Sequence, residues 1–172
     1  MKFLITGGNR GLGQELVARF HGDSISRADG YDITKHAREI AQKSLDYDVF
    51  VNNAQAGYAQ TELLFEMAKR WSGTRKTIIN ISTGLTQSPV SLFEGLEMMQ
   101  YRIQKIALEE AVKQLRHAKI GIRLVIVRPG VVKTQPNQTD GVDPDVWAQE
   151  MFDVLSRNNT WIDDVTIHPT RK

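Results

Sequence analysis

Two pairs of residues in this chain have the spacing for proton exchange. Tyr31 and Lys35, and again Tyr101 and Lys105, stand four positions apart, so on a helix each tyrosine shares a face with its lysine. A cation beside a phenol lowers its pKa from an ordinary value of about 10, toward the range where it can trade a proton with a ligand. The first pair straddles a helix start, whereas the second lies inside a long helical stretch. Tyr101 and Lys105 are therefore the pair expected to do chemistry, with Tyr31 and Lys35 a chance match. A second set of residues is suited to an anion. The run Thr6-Gly7-Gly8-Asn9-Arg10-Gly11-Leu12-Gly13 follows a short apolar stretch and opens an amphipathic one. Glycines there let backbone N–H groups approach a pyrophosphate, and the helix that follows adds free amides and the positive end of its dipole. Other chemistries are excluded. The chain has no cysteine, which removes disulfides, thiolate nucleophiles and cysteine-ligated metal centres. His21, His36, His117 and His168 lie far apart without metal-ligand spacing, so no metal site is expected.

The elements that must position these residues alternate between strand and helix. Strands are expected at Phe3 to Thr6, Ser24 to Arg27, Asp48 to Val51, Thr77 to Ile81, Ile122 to Val127 (stopped by Pro129-Gly130) and Thr160 to Ile167. Helices are expected at Gly11 to His21, Lys35 to Ser44, Thr61 to Trp71, Leu96 to Ala118 and Asp145 to Arg157. Such alternation predicts right-handed βαβ units and an α/β fold: a doubly wound parallel sheet of Rossmann type in three αβα layers. Ligands of such sheets sit at the carboxyl ends of the strands, near the point where strand order reverses. The 172 residues contain no repeat or linker and read as one domain, 1–172, carrying every site. Composition is that of a soluble globular chain, 41% hydrophobic and 24% charged. Basic residues (22) nearly balance acidic ones (20) and form no stripe or tail, which argues against nucleic acid as a partner. The apolar runs are too short to cross a bilayer, and the residues after Lys2 do not read as a signal peptide. A cytoplasmic protein with a small-molecule partner is expected.

Read in order, several stretches resemble the short-chain dehydrogenase/reductase family. They are T-G-x-x-x-G-x-G at Thr6 to Gly13, Asp32-Ile33, Asn52-Asn53-Ala54, Ile81-Ser82-Thr83, Tyr101-x-x-x-Lys105 and Pro129-Gly130-Val131-Val132-Lys133-Thr134, closing on Val165 to Pro169. The resemblance covers residues 1 to 169. It implies an oxidoreductase that moves hydride between a nicotinamide dinucleotide and a small carbonyl or alcohol. In that scheme Gly7, Asn9, Arg10, Gly11, Leu12 and Gly13 cradle the diphosphate. Asp32 and Ile33 take the adenine, Asn53 and Ala54 line the cofactor, and Pro129, Gly130, Val132 and Thr134 hold the nicotinamide carboxamide. Asp32 also reads as a cap for the helix that follows it. Tyr101 protonates the carbonyl oxygen, Lys105 holds the nicotinamide ribose and tunes the phenol, and Thr83, or else Ser82, donates to the same oxygen.

The residue after the second strand separates the two nicotinamide cofactors, because a carboxylate there binds the free ribose of NAD and an arginine the 2′-phosphate of NADP. Here Ser26-Arg27 stands in that place, with Arg10 able to reach the same phosphate from the glycine loop. NADP(H) is expected over NAD(H). Three departures from the family pattern stand out. The segment between Arg27 and Asp32 is too short for the usual helix and third strand, so the fold should be truncated there. The asparagine that joins the family's catalytic set has no clear counterpart, leaving Gln55 or Gln60 as substitutes. The stretch from Thr83 to Tyr101 is longer than usual. Leu85, Phe93, Met98, Met99 and Trp147 are candidates for an apolar substrate wall beside a short lid, Lys133 to Asp143. Alternatives are an NADP(H)-binding redox sensor without chemistry, and a nucleotide-sugar epimerase or reductase. Apolar positions on the Tyr101 helix predict a homodimer or tetramer.

Overall fold

The interior strands form where the sequence is mostly apolar, because a strand covered on both faces has no polar side to show. In a computed structural model, which describes residues 1–88, 95–134, 137–157 and 162–168, six strands form one parallel sheet: β1 (Phe3–Thr6), β2 (Asp23–Ile25), β3 (Val49–Asn52), β4 (Thr77–Ile81), β5 (Arg123–Pro129) and β6 (Asp164–Ile167). Their order is β2-β1-β3-β4-β5-β6. Helices α1 (Gly11–Phe20) and α5 (Pro144–Leu155) cover one face, packing Leu16, Phe20, Trp147 and Met151 against Ile5, Val51, Ile79 and Val127. Helices α2 (Ala37–Lys43), α3 (Ala59–Trp71) and α4 (Gly95–His117) cover the other, where Ile40, Leu63, Leu64 and Leu108 meet Phe50, Ile78 and Leu124. This is the expected three-layer doubly wound fold, and strand order reverses about β1.

The truncation falls where the short segment predicts it. Strand β2 has three residues and pairs only with β1. One 3-10 turn, Arg27–Asp29, and a second turn in which the Lys35 and His36 amides donate to Asp32 O then lead into α2. That second turn also explains why α2 starts at Ala37 and not at Lys35. Strand β5 does not stop before Pro129: Pro129 stays in register with Ile167, and Gly130 N donates to Ile167 O. The last strand is shorter than expected, Asp164–Ile167, and the expected start at Thr160 lies outside the described residues. Phe93 also lies outside them. Trp147 is no part of a substrate wall. It is fully buried under β6, where its Nε1 donates to Ile167 O at 3.2 Å, since an indole ring on the inner face of α5 fills core volume.

Candidate active site

The carboxyl end of β1 is built around close backbone approach. Gly7 has φ +72°, and its N–H donates to Ile25 O at 2.9 Å. A Cβ at position 13 would lie 2.1 Å from Gly7 O, so only glycine lets the first turn of α1 rest on the loop. At Gly11 (φ +53°), by contrast, a Cβ would have nothing within 4 Å; the loop is packed behind and open in front. Asn9 is drawn toward β2 by the Ser24 hydroxyl, which donates to its Oδ1 at 2.8 Å. Thr6 Oγ1 accepts the amides of Asn53 and Ala54 at 2.9 Å each, and Asn53 Nδ2 donates to Thr6 O at 2.9 Å. These bonds fasten the ends of β1 and β3 on either side of the reversal point.

A cleft of about 900 Å³ opens there. Gly7, Asn9, Arg10, Gly11, Leu12 and Gly13 line it, with Arg27 after β2, then Asp32 and Ile33, Asn53 and Ala54 after β3, and Thr134 beyond β5. Arg10 precedes α1 without capping it, and the first turn has no acidic residue. The first amides of α1 therefore face the cleft with no side-chain acceptor. Arg10 and Arg27 are exposed, and among the described residues neither joins an ion pair. Asp29, the nearest carboxylate after β2, is held by the Ser26 hydroxyl at 2.7 Å and does not line the cleft. Asp32 does line it while its Oδ1 receives the Thr34 hydroxyl (2.7 Å) and amide (2.9 Å), bonds that hold its carboxyl below the ordinary range. Asp32 thus caps its turn from a position on the wall.

Tyr101, Lys105, Ser82 and Thr83 form a second group around the end of β4, and none lines the cleft. The two regions touch: Gln55, on the cleft wall, donates to Gln104 of α4 at 2.7 Å. Thr83 is the hydroxyl that reaches the Tyr101 phenol and pulls its pKa down, whereas the Ser82 hydroxyl turns inward and donates to Glu109 at 2.6 Å. The structure brings Thr83, not Ser82, to Tyr101. Lys105 is 3% exposed. Its Nζ donates to Gln60 Oε1 (2.7 Å) and Ile81 O (2.8 Å), and stands 5.7 Å from the centroid of the Tyr101 ring. Gln60 is itself fixed, its Nε2 donating to Asn52 O (2.6 Å) and Ile81 O (3.0 Å). Of the two glutamines, Gln60 is the one beside the lysine.

This arrangement corrects the expected tuning of the phenol. Burial pushes the Tyr101 pKa up and the Thr83 hydrogen bond opposes it only in part, while the lysine lies over the ring and bonds elsewhere. Burial also works on Lys105, lowering its pKa to about 7 against an opposing pull from Glu109. An unfolded lysine titrates at about 10.4, so between pH 7 and about 10 the unfolded chain binds more protons than the folded one. Stability should therefore rise with pH across that window, by at most about 1.4 kcal/mol per pH unit. Urea unfolding of Lys105→Met at neutral pH and at about pH 9 tests this. The variant should lose that part of the wild-type slope, and an unchanged slope would rule out a desolvated Lys105.

Of the remaining predicted residues, Pro129 and Gly130 close the end of β5, and Val132 is buried and bridges Val142. None of the three lines the cleft, and neither do Leu85, Met98 or Met99. No family model and no curated protein matches the sequence. Solved structures do match. A short-chain dehydrogenase/reductase from Vibrio parahaemolyticus is 17% identical over 96% of this chain and 98% of its own, with a TM-score of 0.78. An alcohol dehydrogenase from the archaeon Thermococcus sibiricus, complexed with 5-hydroxy-NADP, is 16% identical over 97% and 95%, with a TM-score of 0.76. A short chain dehydrogenase from Burkholderia cenocepacia J2315, in complex with NADP, is 20% identical over 98% and 88%, with a TM-score of 0.75. The fold is that of the short-chain dehydrogenase/reductases.

Within that fold, spacing missed several residues. Tyr31 lines the cleft although its spacing to Lys35 is a coincidence: its ring carries Lys43 Nζ at 4.9 Å from the centroid, not Lys35. Its place just before Asp32 was the available signal. Glu109, four residues past Lys105, is buried and paired with Arg128. Its only signal was its place one helical turn past Lys105.

Proposed function

We propose that this chain is a short-chain dehydrogenase/reductase that binds NADP(H) and reduces small carbonyl compounds. The observation that carries this is the uncapped amino terminus of α1, opening with its glycine loop into a cleft that also holds the unpaired Arg10 and Arg27. Bare amides, a positive dipole end and two guanidinium forks fit a dinucleotide with an extra phosphate, and two of the neighbours were solved with NADP or a derivative of it. The nicotinamide supplies hydride when bound. Tyr101 gives its proton to the carbonyl oxygen, and Thr83 gives its one hydroxyl hydrogen to that same oxygen when substrate is bound. Lys105 steadies the Tyr101 ring, itself held by Gln60. An ordinary phenol already carries its proton at neutral pH, the form that a carbonyl reduction consumes.

Other parts of the proposal rest on the surface. Leu96, Met98, Ile103 and Ile106 of α4 are exposed, and a homodimer would cover them. No helix among the described residues is long and apolar enough to cross a membrane, in keeping with a cytoplasmic site. A second reading, an NADP(H)-binding sensor with little turnover, draws support from the burial of Lys105 away from the cleft. Titration with NADPH and NADH by nicotinamide fluorescence, followed by absorbance loss over a panel of ketones, aldehydes and quinones, decides between them. Binding with turnover is expected. Binding alone would leave the sensor, and no binding of either dinucleotide would end both readings.

A further inference from the structure

The most heavily bonded buried carboxylate among the described residues has no part in the scheme above. Glu109 lies on α4, one turn past Lys105 and two past Tyr101. Arg128 of β5 grips it in a bidentate fork, Nε to Oε1 at 2.8 Å and Nη2 to Oε2 at 2.7 Å. The Ser82 hydroxyl donates to Oε1 at 2.6 Å. Thr86 Oγ1 lies 2.8 Å from the same Oε1 and 2.9 Å from Thr83 O. Its single proton goes to the carboxylate, the stronger acceptor. Burial raises the Glu109 pKa, but the bonds from Arg128, Ser82 and Thr86 outweigh it, so the carboxyl stays below its ordinary value and holds its charge.

The two hydroxyls come from either side of Thr83, one before it and one three residues after, and Thr83 is the side chain that acts on the Tyr101 phenol. We propose that Glu109 is a positioning residue that cinches the turn carrying Thr83 onto the helix carrying Tyr101. It does so through Ser82 and Thr86, with Arg128 holding its charge in place. Four bonds on one carboxylate leave it no rotamer freedom, so the turn and the helix move as one body. Arg102, next to Tyr101, supports the same turn from outside, its Nε lying 2.9 Å from Leu85 O and 2.7 Å from Ser88 O. The inference takes the catalytic use of Thr83 and Tyr101 from the function proposed above, but its geometry does not depend on a cofactor.

Removing Glu109 itself strands the buried Arg128 guanidinium and endangers the fold. The test therefore removes one hydroxyl and leaves the ion pair. Thr86→Val is nearly isosteric and replaces no group proposed to meet the carbonyl, while Thr86→Ser keeps the hydroxyl. The first readout needs no ligand: Tyr101 labelled at Cζ is titrated by NMR. In Thr86→Val, Thr83 loosens and the phenol titrates at higher pH than in the wild type, while Thr86→Ser follows the wild type. The second readout is kinetic. Thr86→Val should lower kcat about 10- to 100-fold, with the NADPH dissociation constant unmoved, and Thr86→Ser should restore it. A Tyr101 titration identical in all three proteins overturns the proposal, as does a kcat loss matched by equal loss of NADPH binding. If the titration moves while the wild type turns over no carbonyl, the positioning role stands and the proposed function falls.

Discussion

Replacing Tyr101 with phenylalanine is expected to lower carbonyl turnover by about 10²- to 10⁴-fold while NADPH binds as tightly as before. Binding is spared because Tyr101 does not line the cleft, whose wall is made by the glycine loop and the ends of β2 and β3. Turnover is lost because the phenol is the proposed source of the carbonyl's proton, and phenylalanine fills nearly the same volume without it. The ring that Lys105 stands over is retained, so the change isolates the hydroxyl. Steady-state assays beside a fluorescence titration read both quantities. Turnover within a few-fold of wild type would move the proton source to another group and refute the assignment.

Arg27→Asp should reverse the choice of cofactor. Arg27 stands on the cleft wall directly after β2, exposed and free of any ion pair among the described residues. A hydrogen bond to a charged group contributes about 1.5 to 3 kcal/mol, so losing the guanidinium weakens NADPH by about 10- to 100-fold. The new carboxylate repels the 2′-phosphate and accepts from the free ribose hydroxyl of NADH. Arg10, which also lines the cleft, retains part of the attraction, so Arg10→Ala alone should shift the preference in the same direction and by less. The ratio of KM values for the two dinucleotides is the measurement. A ratio that Arg27→Asp leaves in place would remove Arg27 from the site.

Much of this was legible in the amino-acid order because local rules decided it. Runs such as Leu124 to Val127 had to be central strands, and Gly7 to Gly13 had to be a turn feeding a helix. Neither outcome depends on distant neighbours. The shortened edge followed from simple length between Arg27 and Asp32. The internal wiring was illegible because it joins residues far apart in sequence. Gln60 meets Lys105 across 45 positions and Glu109 meets Arg128 across 19, and no spacing rule relates them. The expected lowering of the Tyr101 pKa went wrong for a related reason. Four-residue spacing predicts a charge beside the oxygen, whereas the bonds of Lys105 to Gln60 and Ile81 and its burial aim that nitrogen elsewhere. Which of Ser82 and Thr83 faces Tyr101 depends on how a strand end turns its side chains, and Ser82 turns toward Glu109, a residue outside the segment.

The three-residue strand β2 has one more consequence. It hangs on β1 alone at the margin of the sheet, and the wall carrying Arg27 hangs on it, while the Tyr101 side is rooted between interior strands. Short marginal elements are the first to open in local fluctuations. Mild warming should thus fray the grip on one end of a bound molecule while the reacting end is still intact, so the protein loses its hold on ligand well before its core melts.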